Sequence, residues 1–251
     1  MRVTDGADRV VLLLDRLGAA PEGLGVSDVA RALGVHRSTA SRLLGTLASS
    51  GMVERDPISL RYRIGPRLVG LAATAVARLP VVSQARPELE QLSAATSETA
   101  NLAILDRFHV VYVDQVTPVQ TVVMASWVGR RSPVHASSSG KAMLAFGHDR
   151  ARESLLRRTL EPLTDRTITD PATLRAVLDE VRRRGYATST GELEDGLVTV
   201  AAPVMVDGKA VAAVSTSGPA YRVPARDLPR LGRRVLEAAT AVGHRMTGRT
   251  S

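Results

Sequence analysis

The chain has 251 residues, a formal net charge of +8 and no cysteine. That length accommodates a small domain and one of ordinary size, and the basic surplus favours an anionic partner. The lack of thiols excludes disulfides, cysteine-ligated zinc and thiol catalysis.

Near the amino terminus, the apolar run 10–14 is cut off by Asp15 and Arg16. It is too short for a signal-peptide core or a membrane span. Residues 8–17 have the apolar spacing of a helix, and 18–25, with Pro21 and three glycines, read as a loop. Ser27 is expected to cap a helix over 28–33, with Gly34 closing it in a left-handed conformation. A second helix over 36–49 carries Ala40, Leu43, Leu44 and Leu47 as one apolar stripe. Opposite that stripe lie Ser38, Ser41, Arg42, Gly45 and Ser49, with Arg37 at the edge of the first turn. No acid occurs between Asp28 and Glu54, so this face is open to a polyanion. Ser, Thr and Arg bond bases or phosphates, and a helix N-terminus attracts phosphate. Short strands over 52–54 and 61–64, around the Asp56-Pro57 turn, make a hairpin carrying Arg61 and Arg63. Helix, tight turn, helix, hairpin is the order of a winged helix-turn-helix. Overall charge says less, because residues 1–65 hold nine basic residues against seven acids.

Gly65-Pro66 marks a boundary, and helices over 67–79 and 81–95 read as a connector. Leu68, Leu71, Ala72 and Ala75 suit pairing with a second copy of the chain. Strands are expected over 101–105, 110–113 and 121–125, then helices over 140–146, 150–158 and 173–184. Strands resume over 188–190, 197–206 and 210–217, the last two joined by a Val206-Asp207-Gly208-Lys209 turn. A helix over 225–246 follows. Strands and helices in separate runs predict an α+β unit, an antiparallel sheet with helices on it.

Within this unit, Ser138 and Lys141 have the S-x-x-K spacing of a serine hydrolase, but the S-D-N and K-T-G elements that accompany it are absent. A binding role demands less. The N–H groups of Ser138, Ser139 and Gly140, leading into a helix, suit a carboxylate or phosphate. Ser215 and Ser217 alternate on a strand and so share one face; they satisfy backbone groups or line a cavity. The five histidines show no metal-ligand spacing, and no cofactor is expected. Glu192, Glu194 and Asp195 read as a solvated loop, Trp127 with Arg130-Arg131 as a strand end, and Arg182-Arg183-Arg184 as basic residues suited to a helix C-terminus.

From about residue 8 to 246, the chain resembles the IclR family of bacterial transcriptional regulators. The resemblance runs through LGVHRSTASRLLGTLASSGMVERDP and RYRIGPRL, then NLAILD, VVYVDQV, RRSPVHASSSGKAMLAF, LTDRTITDP, RRRGYATSTGELEDGLVTVAAPV and AAVSTSGP. It implies a winged helix-turn-helix over 1–65, a helical linker over 66–95, and a GAF-like effector domain with a curved antiparallel sheet over 96–251. The implied protein is a cytoplasmic dimer or tetramer with no membrane partner. It acts on a double-stranded DNA operator, most often as a repressor, under a small effector such as an organic acid or aromatic metabolite. DNA contacts are expected from Arg37, Ser38, Thr39, Ser41, Arg42, Arg61 and Arg63. By alignment with the family, effector contacts fall at Thr121, Met124, Ser132, Ser138, Ser139, Ser189, Leu197, Thr199, Ser215 and Ser217. Ser189 stands where members often have Asp, Thr199 where Cys, Ser or Ala is common, and Met205-Val206 where an aromatic and an acid are usual. A charged effector anchor is thus missing. The alternatives are a hydrolase using Ser138 and Lys141, and a DNA-binding protein with no effector.

Overall fold

The structure, a computed structural model, describes residues 6–118 and 126–248. The strand expected over 121–125, with Thr121 and Met124, lies outside the described residues. The chain divides into two compact units, Met1–Arg78 and Leu79–Ser251.

The first unit holds α1 (Gly6–Gly18), α2 (Val26–Leu33), α3 (Arg37–Ser49), β1 (Val53–Arg55), β2 (Tyr62–Ile64) and α4 (Pro66–Ala77). Leu13 and Leu17 of α1, Val29 and Leu33 of α2, and Ala40, Leu44 and Leu47 of α3 close on Val53 and Tyr62 of the hairpin in one core. Ser27 is not the cap of α2. The helix begins at Val26 after Gly25, and the Gly25 N–H donates to the Asp28 carboxylate at 3.1 Å. Asp three residues into a helix performs this back-bond from inside the first turn, so a side chain at the cap is dispensable. Gly34 does close α2, at φ +62°: its N–H reaches Arg31 O and the Val35 N–H reaches Ala30 O, satisfying two end carbonyls. The hairpin is antiparallel, with Val53 opposite Ile64 and Arg55 opposite Tyr62.

The second unit contains α5 (Pro80–Thr96), β3 (Thr99–Asp106), β4 (His109–Val116), β5 (Arg131–Pro133), α6 (Ser138–Ala145), α7 (Asp149–Leu156) and α8 (Pro171–Arg184). It continues with β6 (Ala187–Thr190), β7 (Leu197–Val206), β8 (Lys209–Pro219), a 3-10 turn at Ala225–Asp227 and α9 (Leu228–Met246). Its strands form one curled antiparallel sheet in the order β5-β4-β3-β8-β7-β6. Both faces are covered, which explains the nearly continuous apolar runs of β7 and β8. On one face Leu102, Val198, Val200 and Val214 pack under α5 and α9, through Leu89, Leu92, Val235 and Val242. On the other, Ala103, Tyr112, Ala201 and Ala213 pack under α6, α7 and α8, through Met143, Leu156 and Leu178. Several boundaries differ from the sequence expectation by a few residues, two of them through identifiable residues at a helix start. Pro80 begins α5 instead of ending the helix before it, because proline is favoured in a first turn. The helix expected from 140 begins at Ser138, because Ser137 caps it.

The start of α6 is pressed against the chain just before it. A Cβ on Gly140 would stand 2.3 Å from Val134 Cα and 2.5 Å from Val134 O, whereas one on Gly45 of α3 would meet nothing within 4 Å. Gly140→Ala should therefore destabilise the protein by about 1–3 kcal/mol in urea unfolding. Gly45→Ala should stabilise it by roughly 0.5–1 kcal/mol, through helix propensity alone.

Candidate functional site

Two groups of residues stand out, one in each unit. In α3, the side turned from the core exposes Arg37, Ser38, Ser41, Arg42, Gly45, Thr46 and Ser49, and Thr39 is half-buried. His36 precedes the helix, and its ring nitrogen accepts the Ser38 N–H at 3.3 Å and lies 2.8 Å from the Ser38 hydroxyl. Thr46 and Ser49 return their hydroxyls to helix carbonyls. Arg37 and Arg42 make no ion pair within the described residues, and α3 contains no acid. The face thus offers two uncommitted guanidinium groups beside small hydroxylated residues, which is what close approach to a duplex groove requires.

The hairpin arginines behave differently. Arg61 is half-buried; its Nε donates to Gly23 O at 2.9 Å, and a second nitrogen lies 3.6 Å from Asp28. Arg63 is half-buried beside Asp56 at 4.0 Å, with its Nε enclosed and unpartnered. Both side chains lean back onto their own unit. The apolar helix α4 buries none of its residues, and Val69 and Leu71 are 67% and 50% exposed.

The second group lies on the α6 side of the sheet. Strand alternation puts Asn101, Leu197, Thr199, Ser215 and Ser217 on the same face as Ala103, Ala201 and Ala213. The register sets Ser189, Thr199, Ser217 and Thr99 in one row across four strands, and Ala201, Ser215, Asn101 and Gln115 in the next. Ser132, Ser138 and Ser139 are buried, as are Ser189, Leu197, Thr199, Ser215 and Ser217. Ser189 donates its hydroxyl to Ala136 O at 2.9 Å, tying β6 to the segment before α6.

Asn101 belongs to this group and was not singled out from the sequence. Its Nδ2 donates to Ser217 Oγ at 3.1 Å, while its buried Oδ1 has no partner among the described residues. The phenol of Tyr112 is pushed up by burial, against the lowering influence of the Ser139 and Ser132 hydroxyls beside it, and its ring meets Trp127 edge-on at 5.4 Å. One expected donor is lost: Gly140 N–H is taken by Ser137 Oγ at 3.2 Å, because that serine is the helix cap. Ser138 and Ser139 remain in the first turn, where the helix dipole favours negative charge.

Lys141 is 1% exposed, and its ammonium sits 2.7 Å from both carboxylate oxygens of Glu192. Burial pulls the lysine pKa down, against the upward pull of the Glu192 carboxylate. The amine is directed at Glu192, and no hydrogen bond joins it to Ser138 among the described residues, which leaves the S-x-x-K spacing without its base. Glu192 is therefore not part of a solvated loop. Thr164 and Thr167 donate to the carbonyls of Gly191 and Glu192, and Arg130 pairs with Glu194, so this loop is fastened at several points. An open groove of about 400 Å³, lined by Phe146, Gly185, Pro203, Met205 and Leu236 among others, includes none of these residues. Among the described residues, no cluster of His, Asp and Glu could hold a metal.

Comparison with known proteins bears on both groups. The family model described as "IclR helix-turn-helix domain" matches residues 6–57, and "Bacterial transcriptional regulator IclR C-terminal" matches 73–244. The HTH-type transcriptional regulator BhcR of Paracoccus denitrificans (strain Pd 1222) is 36% identical over 96% of this chain and 87% of its own length. The crystal structure of an IclR transcriptional regulator from Alicyclobacillus acidocaldarius superposes with a TM-score of 0.80 at 31% identity, covering 94% of this chain and 96% of that one. An IclR homolog from Microbacterium hydrocarbonoxydans, complexed with 4-hydroxybenzoate, gives a TM-score of 0.80 at 29% identity, over 96% and 98%.

The buried ion pair generates a test of its own. Lys141→Met leaves the Glu192 carboxylate buried without its cation and should cost about 3–5 kcal/mol in urea unfolding. Lys141→Met with Glu192→Leu removes both charges and should recover most of that loss.

Proposed function

The chain belongs to the IclR family of bacterial transcriptional regulators, and from that premise we propose that it is a repressor whose hold on an operator is set by a small organic effector. It is a DNA-binding regulator and not an enzyme. In this reading residues 1–65 engage DNA, 66–95 transmit the signal, and 96–251 hold the effector.

The observation that carries effector control is the orphan Asn101 Oδ1 on the buried serine-rich face, in the row next to Ser217, Thr199 and Ser189. A buried polar atom without a partner costs about 1–3 kcal/mol, and a ligand that donates to it would remove that cost. Neutral hydroxyls and amides dominate the face, and Ser189 replaces the acid common at its position. Recognition of an organic acid or phenol would then rest on hydrogen bonds and the α6 N-terminus. A relative crystallised with 4-hydroxybenzoate supports that class.

DNA reading falls to the uncommitted face of α3. Arg42 and Arg37 would bond base edges or phosphates, with Ser38, Thr39 and Ser41 filling the groove beside them. The uncovered apolar residues of α4 favour a homodimer, which would place two copies of α3 on half-sites about one helical turn apart. A dimer seated on a promoter excludes polymerase by occupancy, with no further contact required, so repression is the simpler sign. Such work places the protein in the cytoplasm, and no single helix among the described residues is long and apolar enough to cross a membrane. Effector binding shifts the DNA equilibrium only if the effector prefers one arrangement of the chain.

Two measurements test this reading. Operator fragments recovered by pull-down of sheared genomic DNA should bind Arg42→Ala more weakly by about 1–3 kcal/mol, with a smaller loss on random duplex if Arg42 reads a base. In thermal-shift screening with 4-hydroxybenzoate and a panel of small organic acids, at least one compound should raise the melting temperature. A compound at a hundred times its Kd adds about 2.7 kcal/mol. Ser217→Leu should abolish that shift and leave operator affinity unchanged; a variant that responds like the wild type would remove Ser217 from the site.

A further inference from the structure

We propose that the hairpin tip is an apolar wedge for the minor groove, with Ile58 as the inserted side chain. The inference rests on the DNA-binding reading above and goes beyond it, because the hairpin's DNA contacts were expected from Arg61 and Arg63.

Residues 56–61 form a fastened turn. The Asp56 carboxylate accepts the N–H groups of Ile58 at 3.0 Å and Ser59 at 2.7 Å. The Asp56 carbonyl accepts the Leu60 N–H at 3.0 Å, and the Asp56 N–H donates to Arg61 O at 2.8 Å. These N–H donors, Ser59 foremost, hold the Asp56 carboxyl below the usual carboxylate range. Leu60 adopts φ +59° to complete the turn. The outcome of all this fastening is an isoleucine 93% exposed at the tip, with Leu60 52% exposed beside it. A β-branched side chain on a rigid turn has little rotamer freedom left to lose on contact.

The arginines around the tip each hold a contact within their own unit and leave the tip itself apolar. Arg61 is turned to Gly23 and Asp28, and Arg63 to Asp56. Arg55 lies over the Tyr62 ring and reaches Leu60 O at 3.5 Å, while Glu54 is exposed opposite Arg63. Apolar atoms gain nothing from a phosphate, whereas base edges and the stack between bases offer apolar surface. The minor groove is roughly 6 Å wide, which admits one side chain and excludes a helix. Only residues 50–52 separate α3 from β1, within the same unit. With α3 in the major groove, the proposal seats the tip on the neighbouring groove. Isoleucine is among the residues that part a base step there, and such parting is easiest at flexible steps such as TA.

The experiment uses the full chain and a pool of duplexes with a randomised core. Wild type, Ile58→Leu, Ile58→Ser and Arg42→Ala are each carried through selection, then titrated by anisotropy against the selected duplex over a range of salt. The proposal expects Ile58→Ser to lose roughly ten-fold in affinity, Ile58→Leu to keep most of it, and the slope of log K against log salt to stay unchanged for both, since no phosphate contact is lost. It also expects the Ile58→Ser pool to lose sequence preference at the flanking step while the core read by α3 persists. Equal affinity and equal flanks for Ile58→Ser would overturn the wedge, as would a loss that tracks weakened self-association measured by sedimentation. If the wild type itself enriches no sequence, the DNA-binding reading fails and the wedge with it; if it enriches a site that Ile58→Ser also enriches, only the wedge fails.

Discussion

A sheet packed on both faces must find a partner for every polar side chain it buries, and that requirement organises the larger unit. Most of β7 and β8 meets it by being apolar. Among the exceptions, Asn101, Thr199, Ser215 and Ser217 share the sheet face that packs under α6, while Thr216 lies on the other face. Some pair with each other or with backbone, as Asn101 with Ser217 and Ser189 with Ala136 O. Asn101 Oδ1 does not, among the described residues. Under the proposed reading, such a core gives up stability for a site, and a ligand bonded there would return it and so bias the protein's state.

The Lys141–Glu192 pair belongs to the same economy of polar groups. Of the 33 basic residues only Lys141 and Lys209 are lysine, and Lys141 is buried. An ammonium has three donors that one carboxylate and few neighbours can satisfy, whereas a buried guanidinium would need partners for five. Arginine serves elsewhere, on α3 and in the surface pairs, where a planar fork and an unshifting charge are useful. The pair ties α6 to the loop 191–196 and so fixes the turn that carries Ser138 and Ser139.

Periodic features were legible in the sequence and long-range ones were not. The apolar stripe of α3 and the alternation of Ser215 with Ser217 repeat at helical and strand periods, so the buried and exposed faces could be assigned from spacing alone. Asn101 is a single polar residue in an apolar strand, and nothing local says that it meets Ser217 across 116 positions. The Lys141–Glu192 contact spans 51 positions, and the Arg61–Gly23 contact 38. Two arginines in a hairpin therefore read as outward cations, although the fold draws them in. The three-residue strand β5 carries too few residues for alternation to register. Caps depend on which of several neighbouring polar groups wins, and Asp28 prevailed over Ser27.

Under the proposed effector control, any coupling between effector binding and operator binding is reciprocal by thermodynamic necessity. The most direct measurement is a calorimetric titration of a stabilising compound into the protein, alone and then saturated with operator duplex. The two dissociation constants should differ by the same factor by which the compound changes operator affinity. Identical constants with and without DNA would contradict effector control of DNA binding, however tightly the compound is held.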